Sequence, residues 1–554
     1  MTLRKNTAIS IAAAMLLCMT GCNDIKQTSP YLEKQAISYG TTTTGPTASV
    51  YTKTSTSAVL PVYTEISLDV PELAYEEVEL IYQAEDMPLP VLFERKNEKI
   101  DYTGSGYVCG LSGELQNSLI FELSVPSAQH YDISLVVCAD NGAECTVTIN
   151  DSKTEDLAIE SSDRFVRITI PGIYMEAGAN KLSITQKDGD MLLDCVELRS
   201  NTSLSEEEYI PPVPVNEEAS EAACDLFTFL CDNYGKKIIS GQHVADSGND
   251  EIKRIAETTG KYPVIRFADM YPYSHNGGNL SEDDTIDAAL EWSKDGGITG
   301  LMWHWFSPSG EPGTLEKSED FSLSAAVTFE NVAVLTPKAL EELHKSGNIS
   351  DECMMLIKDI DSMSEGLKKL RDEDVPVLWR PLHQAGTGSY WWDSEGSDVY
   401  KWLWNLLYVR MTEYHKLDNL LWVWSGTSSE YMPDSSRFDI AAADFYCEEG
   451  EEFGSGYEPY HAIDKMSYGK LTALSECGSL PDIPAAFRDK SVWSYFGLWY
   501  YPYLTDEDNE FVDSEALIKV YNSEGVLTRE DYIEYCSSRE EEEESTEAAT
   551  EAPW

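Results

Sequence analysis

The sequence has little that would suggest a metal protein or a nucleic-acid-binding protein. Its 12 cysteines include no C-x-x-C pair and no Cys/His group at zinc spacing, so we expect no metal site built on sulfur. Basic residues are scarce, since 40 Lys and Arg stand against 97 Asp and Glu, a formal net charge of −57. This charge repels phosphate backbones. Nucleic acid is therefore not an expected partner.

The N-terminus has a short apolar run, from Ala8 to Leu17, which follows Arg4 and Lys5. A charged segment, a short apolar segment and small residues are the parts of an export signal. Residues 1–22 resemble a bacterial lipoprotein signal, which implies that Cys22 becomes the lipidated first residue of the mature chain. We expect an exported protein held at the cell surface, touching the membrane only through its lipid anchor, with plain secretion as the alternative.

Two stretches of biased composition predict linkers. Residues 23–74 are rich in Thr, Ser and Tyr, which is typical of a flexible tether. Residues 202–216 combine acidic residues with three prolines and predict a stiffer connection. The region between them, residues 75–201, is predicted to be a separate domain.

Residues 75–201 show the alternation of apolar and polar residues that is typical of half-buried strands. Examples are the runs from Leu119 to Val125 and from Tyr131 to Val137, with turn residues such as Asp140-Asn141-Gly142 between runs. Short strands joined by such turns predict an all-β, jelly-roll-like sandwich. Four cysteines of this region are candidates either for disulfides or for buried thiols: Cys109, Cys138, Cys145 and Cys195.

Residues 217–538 alternate helical stretches with short apolar runs, which predicts repeated βα units. The predicted strands are Lys237–Gln242, Pro263–Phe267, Ile298–His304, Val375–Leu382, Leu420–Trp424, Ile440–Tyr446, Lys470–Glu476 and Val492–Trp499. Eight such strands in about 320 residues favour a (β/α)₈ TIM barrel. The acidic residues 539–554 are predicted to be a disordered tail.

The active site of such a barrel lies where the strands end, so the residues that close each run are the candidates. They carry the groups that hold sugars, namely aromatic faces, amides, imidazoles and carboxylates. They are Gln242, His243, Asp269, His304, His383, Gln384, Ser425, Asp444, Tyr446, Glu476 and Trp499. Arg380 is expected inside the barrel mouth, where it would orient carboxylates.

Several motifs in this half resemble glycoside hydrolase family 26 in both order and spacing. They are VPVLWRPLHQ from Val375 to Gln384, YWW from Tyr390 to Trp392, Trp303-His304, NLLWVW from Asn419 to Trp424, DFY from Asp444 to Tyr446 and ALSECG from Ala473 to Gly478. The resemblance covers residues 217–503. It implies a retaining glycosidase, most commonly an endo-β-1,4-mannanase, with no cofactor for catalysis.

Retaining hydrolysis uses one carboxylate as nucleophile and a second carboxyl group as acid and base. By the resemblance, Glu476 is the nucleophile, and the acid/base should follow His383, where this chain has Gln384. A glutamine amide cannot transfer a proton at ordinary pH. Three interpretations follow: the barrel is a degenerate, glycan-binding form, a nearby carboxylate such as Asp393 or Glu395 supplies the proton, or Gln384 is an inactivating change made to trap substrate.

The resemblance also implies a set of substrate-binding residues: His304, His383, Trp391, Trp392, Asp444, Tyr446 and Trp499. One position departs from the family pattern, because Ser389 stands where the family often has a Trp beside the cleaved sugar. That change predicts the loss of one stacking platform.

The N-terminal region resembles a carbohydrate-binding module of family 35. The segments that carry the resemblance are Tyr82 to Asp86, Gly104 to Val108, Ala177 to Asn180 and Leu193-Asp194. It implies a structural Ca²⁺ held by Gln83, Glu85 and Asp194, since oxygen ligands suit this ion. An acidic strand without an ion is the alternative.

Together the two resemblances predict a monomeric surface glycosidase acting on β-mannan or a related plant polysaccharide. One alternative is an inactive glycan-binding lipoprotein. The other is a β-1,3-1,4-glucanase or a β-1,3-xylanase of the same family.

Overall fold

The computed structural model describes residues 75–550 except 116, 152, 202–208, 282, 318, 448–452, 468 and 505–510. The predicted signal with Cys22, the tether of residues 23–74 and much of the second linker lie outside the described residues. Within the described part, no helix is long and apolar enough to cross a membrane. The chain divides into two compact units, and each is described by itself.

The first unit is a sandwich of nine strands. They are β1 (Glu79–Gln83), β2 (Glu94–Lys96), β3 (Tyr107–Ser112), β4 (Ser118–Val125), β5 (Gln129–Ala139), β6 (Ala143–Ile149), β7 (Lys153–Ile159), β8 (Ser162–Met175) and β9 (Gly178–Ser200). All pairings are antiparallel. The long strand β9 joins two layers, because its first half pairs with β4 and β6 and its second half with β1, β3 and β5.

The sandwich core follows from the alternation seen in the sequence. In β4, Leu119, Phe121 and Leu123 are buried while the residues between them face outward. In β5 and β9, Leu135 lies opposite Val196, and both side chains are fully buried. Each layer therefore turns its apolar face inward, which is what holds two such sheets together.

The second unit is a closed barrel of eight parallel strands, β11 to β18 in order. They are β11 (Gly241–His243), β12 (Ile265–Asp269), β13 (Ile298–Met302), β14 (Val377–Arg380), β15 (Leu420–Ser425), β16 (Ile440–Phe445), β17 (Leu471–Cys477) and β18 (Phe496–Leu498). Outside the barrel, β10 (Ile238–Ile239) pairs with β19 (Val526–Leu527).

Helices surround the barrel. They are α1 (Glu221–Asn233), α2 (Asp250–Thr259), α3 (Thr285–Lys294), α4 (Leu323–Ala326), α5 (Pro337–Lys345), α6 (Asp351–Arg371), α7 (Ser397–Val409), α8 (Tyr457–Met466), α9 (Ile483–Arg488), α10 (Ser514–Tyr521) and α11 (Arg529–Thr550). The long helix α6 begins where the Ser350 side chain accepts a hydrogen bond from the Cys353 N–H. One π-helical turn, Arg410–Tyr414, follows α7.

The barrel interior is filled by side chains. The Phe267 ring packs so closely against Gly300 that a Cβ on that glycine would clash with it. Strand ends above this layer are free to carry polar groups, because the packed interior below them already closes the barrel.

The structure confirms the predicted fold class, a β-sandwich followed by a (β/α)₈ barrel. Helix α11 runs to Thr550 and so includes residues that were predicted to belong to the acidic tail. The reason is the composition, since Glu and Ala favour helix. The four cysteines of the sandwich are free thiols.

Candidate active site

Glu476 lies at the end of β17 and is 1% exposed. Its Oε2 accepts hydrogen bonds from the Tyr446 hydroxyl at 2.8 Å and from Gln384 Nε2 at 3.4 Å. Its Oε1 accepts one from Arg380 Nη2. The ends of β14, β16 and β17 therefore bring together the two residues that the sequence singled out for catalysis and the predicted Tyr446.

Arg380 connects two carboxylates. Its Nη1 donates to Asp444 Oδ1 at 2.8 Å, while Nη2 reaches Glu476. The Ser425 hydroxyl donates to Asp444 Oδ2 at 3.0 Å. A register shift in β16 between Ala443 and Asp444 places Asp444 opposite Glu476, and such bulges commonly re-aim a side chain next to an active site.

The two carboxyl groups have different electrostatic surroundings. Burial favours the neutral form of Glu476, but the Arg380 guanidinium outweighs that effect, and the pKa of Glu476 lies below its ordinary value. Burial and the neighbouring Glu476 raise the pKa of Asp444, against the effect of Arg380. Glu476 is therefore the carboxylate that stays ionised, as a nucleophile must be.

Gln384 has a left-handed backbone, with φ of 56°. Its N–H donates to the Ser425 hydroxyl at 3.2 Å, and its Oε1 is buried without a hydrogen-bond partner among the described residues. A non-glycine residue in this conformation is uncommon and is found at sites where the surroundings hold it in place. The Nε2 group of Gln384 thus donates to Glu476, while its Oε1 can still accept a hydrogen bond.

Two histidines lie beside this pair. His304 Nδ1 is 2.6 Å from Asp269 Oδ2, so the carboxylate fixes the ring and its tautomer. His383 packs edge-on against His304, with ring centroids 4.5 Å apart, and neither of its nitrogens has a hydrogen-bond partner in the described part of the chain. Burial, with help from His304 and Arg380, holds the pKa of His383 well below 6.5. The neutral ring can bind a hydroxyl through either nitrogen.

The three Trp residues predicted to contact substrate differ in the partners of their indole N–H groups. The Trp391 and Trp392 rings are buried, and their indole N–H groups donate to the carbonyls of Trp305 and His383. Both rings therefore pack the wall beneath the site, and their predicted contact with substrate stays a prediction. Trp499 is tilted against His243 at 4.7 Å, and its N–H has no partner among the described residues.

Tyr390 is absent from the predicted substrate-binding set, although it lies at this site. Its ring stacks on Trp392 at 4.3 Å and meets His383 at 5.0 Å, and its hydroxyl is buried without a partner among the described residues. The only signal in the sequence is its place in the Tyr-Trp-Trp run. That run does not tell which ring turns its polar end toward the site.

Asp393 and Glu395, the two alternative proton donors, are occupied elsewhere. The buried Asp393 carboxylate accepts the backbone N–H groups of Gly386, Gly388 and Tyr390 at 3.1, 2.8 and 3.1 Å. Glu395 accepts the N–H groups of the first residues of α4. Asp393 therefore shapes the loop that carries Gln384, and Glu395 stabilises a helix start.

The barrel unit also has a cavity of about 840 Å³. It is lined by loops that follow β13, β14 and β15, including Phe321, Ser322, Glu395 and Tyr431. Because strand ends and these loops share one face, the cavity and Glu476 lie on the side where barrel enzymes bind substrate.

In the sandwich, the three predicted calcium ligands surround one loop. Asp194 accepts the Thr103 N–H, Glu85 Oε1 accepts the N–H groups of Ser105 and Gly106, and Gln83 Oε1 accepts the Thr103 hydroxyl. Glu85 Oε2 is buried without a partner among the described residues. Buried oxygens of this kind fit a hard cation.

The calcium ligand set would be incomplete with carboxylates alone. The described residues contain no group of three or more His, Cys, Asp or Glu side chains arranged to hold a metal. Two carboxylates and the Gln83 amide would need backbone oxygens to complete the shell, which is usual for Ca²⁺.

Comparison with known proteins gives both units a family. Residues 215–531 match the model of glycosyl hydrolase family 26, and residues 81–201 match that of carbohydrate-binding module family 35. A mannan endo-1,4-beta-mannosidase of Thermothelomyces thermophilus is 30% identical over 440 residues, covering 77% of this chain and 85% of that protein. Mannan endo-1,4-beta-mannosidase B of Piromyces sp is 28% identical over 453 residues, covering 79% and 75%.

Among solved structures, a Podospora anserina GH26-CBM35 β-(1,4)-mannanase superposes with a TM-score of 0.56 at 28% identity. The similarity covers 82% of this chain and 98% of that one. It therefore extends over both units of the chain.

Proposed function

The chain belongs to glycosyl hydrolase family 26, and from that membership we propose that its barrel is a retaining endo-β-1,4-mannanase site in which the proton-transferring residue is replaced by Gln384. Glycoside hydrolysis in this family needs no cofactor. The observation that carries the proposal is the contact of Glu476 with Gln384, whose side chains approach to 3.4 Å at the ends of β17 and β14.

In the first step, Glu476 attacks the anomeric carbon of the bound sugar and forms a glycosyl-enzyme. Arg380 and Tyr446 favour the ionised carboxylate. The leaving oxygen needs a proton, which a glutamine amide cannot give. The same amide cannot take a proton from the attacking water in the second step. The first step is therefore slow for a natural polysaccharide, because its leaving group is poor, and the second step is slow because the attacking water has no base.

This mechanism can be tested with substrates that differ in leaving group. We expect an aryl β-mannobioside with an acidic phenol to form the glycosyl-enzyme without acid help. Azide should then attack the anomeric carbon, displace Glu476 and release a β-mannobiosyl azide. Glu476→Ala is the matched control, since it lacks the nucleophile. If the wild type releases neither phenol nor sugar from the aryl substrate, mannan, glucomannan, lichenan or β-1,3-xylan, the barrel is not a hydrolase.

A second candidate function is glycan binding without turnover. The observation that favours it is the position of Asp393 and Glu395, which hold backbone N–H groups and leave Gln384 as the group that faces Glu476. Titration with mannohexaose separates the two candidates. Binding with no product after prolonged incubation supports a binding protein, and slow release of shorter oligosaccharides supports the enzyme.

The proposal also includes the location of the protein and the role of the sandwich. Export with a lipid on Cys22 would place a monomer at the cell surface, where polysaccharide is available. The sandwich would bind glycan and be stabilised by Ca²⁺ on Gln83, Glu85 and Asp194. Metabolic labelling with a fatty acid, lost in Cys22→Ala, tests the anchor.

A further inference from the structure

One end of the sandwich has an apolar cluster at its surface. We call it the aromatic patch, and it consists of the ring cluster Tyr102, Tyr107 and Phe165 together with Ile100, which precedes Tyr102 by two residues. Tyr107 is buried between the two other rings, 5.7 Å from Tyr102 and 5.3 Å from Phe165, while those two rings are partly exposed. Ile100 is 69% exposed. The exposed apolar surface of the patch thus comes from two segments of the chain, one with Ile100 and Tyr102 and one with Phe165.

The patch has a rim of charged side chains, and the charges are paired. Lys99 Nζ lies 2.6 Å from Asp140, and Arg164 Nη1 lies 3.8 Å from Asp101. Each cation at the rim therefore has a carboxylate beside it. Such a rim offers hydrogen bonds but no net attraction for an anionic ligand, which favours a neutral one.

The backbone beside the patch is held in place. Thr103, next to Tyr102, donates its N–H to the buried Asp194. Lys99 also reaches the Asp163 carbonyl, close to Phe165. Because these contacts fix the segments that carry the rings, little conformational entropy is lost when a ligand binds.

We propose that the aromatic patch is a glycan-binding site for a neutral, β-linked hexopyranose chain of the mannan type. The proposal rests on the carbohydrate-binding role given above to the sandwich. Sugar rings present apolar C–H faces that stack on aromatic side chains, while their hydroxyls bond to a polar rim. The partly exposed Tyr102 and Phe165 are the stacking residues, and Tyr107 supports both from below.

The distribution of tryptophan allows the two binding sites to be read separately in the full chain. Twelve of the 13 Trp residues lie in the barrel, from Trp292 to Trp499, and the other is Trp554, so a change in tryptophan fluorescence on ligand binding does not come from rings of the sandwich. Retention in a native gel containing soluble galactomannan reports on both units. We expect the double variant Tyr102→Ala/Phe165→Ala to bind the gel polysaccharide about tenfold more weakly. Its fluorescence titration with mannohexaose should equal that of the wild type.

Two further variants keep the test independent of folding. Ile100→Lys places a charge on a side chain that is already exposed, and it should also weaken retention. Ile120→Ala removes an exposed apolar side chain from the other layer, on β4, and it should leave retention unchanged. Each variant is to be compared with the wild type by thermal unfolding.

Several results would overturn the assignment. Equal retention of wild type, the double variant and Ile100→Lys would show that the patch does not bind glycan. Retention on polygalacturonan instead of galactomannan would contradict the neutral ligand. A halved mass of the variants in sedimentation would assign the patch to a second copy of the chain. If barrel fluorescence also fails to respond to mannohexaose, the proposed function fails as well.

Discussion

In the barrel, the buried Arg380 guanidinium lies between the carboxylates of Asp444 and Glu476. In the sandwich, Glu85 and Asp194 are equally buried, yet neither has an ion-pair partner among the described residues. A buried charge without a partner is costly. The comparison teaches that the barrel contains its own counter-charge, whereas the described residues of the sandwich provide none for Glu85 and Asp194, which is the place of the proposed Ca²⁺.

The two units also differ in their aromatic residues. The barrel buries Trp rings in the wall of its site, as Trp391 and Trp392 show. Residues 81–201, which match the binding module, contain no Trp. Any stacking surface there must use Tyr and Phe, which is why the aromatic patch is its candidate.

The largest change should come from giving the barrel the proton donor that it lacks. We expect Gln384→Glu to raise mannan hydrolysis by about 10²–10⁴-fold, the usual contribution of general acid–base catalysis. Reducing-sugar release measures it. Gln384→Met, of similar size but without an acid, is the control. If Gln384→Glu and the wild type are equally fast, another group transfers the proton.

The next largest effect should be on stability, when the positive charge between the two carboxylates of the barrel is removed. Arg380→Met leaves two buried carboxylates without a cation, and we expect a loss of about 3–5 kcal/mol in the free energy of unfolding. Chemical unfolding followed by circular dichroism measures it. The control is Arg199→Met, which breaks the exposed pair with Glu79 and should cost at most about 1 kcal/mol. Similar losses for both variants would contradict the contrast.

In the sandwich, we expect bound Ca²⁺ to supply the positive charge that Arg380 supplies to the buried carboxylates of the barrel. Ca²⁺ at about 100 times its dissociation constant should stabilise this unit by about 2.7 kcal/mol, seen as a higher unfolding temperature in calorimetry. Chelation should reverse the shift. Asp194→Asn should abolish the response, while the barrel transition stays unchanged. A calcium response that persists in Asp194→Asn would place the ion elsewhere.

Acid should weaken the barrel through its buried histidines. Burial lowers the pKa of His243 to about 4 and that of His383 well below 6.5. The unfolded chain therefore binds more protons below pH about 6.5, and each histidine costs about 1.4 kcal/mol of stability per pH unit down to its folded pKa. Asp444 acts in the opposite direction, because its pKa is raised.

This pH effect is therefore measured by comparing the wild type with a variant that lacks one of the histidines. The unfolding free energy of the wild type should fall more steeply between pH 6.5 and about 4 than that of His243→Gln, which cannot take up the proton. Parallel curves for the two proteins would show that His243 does not titrate on unfolding.

The sequence predicted the barrel and its central pair because both depend on local pattern. Each apolar run ends in a polar residue, and parallel strand ends meet on one face, so Gln384 and Glu476 had to be neighbours once the barrel was assumed. The predicted Arg380 contact follows similarly, since a buried guanidinium needs carboxylates.

What the sequence did not predict depends on the direction of side chains in loops. The spacing of Tyr390, Trp391 and Trp392 gives no sign that two indole N–H groups bond to carbonyls below the site. Asp393 is a candidate acid by its place in the sequence, but turns at Gly386 and Gly388, both with positive φ, bring their N–H groups onto its carboxylate. Such turns are set by the whole loop.

The left-handed backbone at position 384 has a consequence for the evolution of this barrel. Because main-chain torsion and the Ser425 contact fix where the side chain begins, glutamine and glutamate would occupy nearly the same volume. Their codons differ only in the first base. Under the proposed mechanism, a slow and a fast form of this barrel are therefore separated by a single nucleotide change at codon 384, with no need to rebuild the loop.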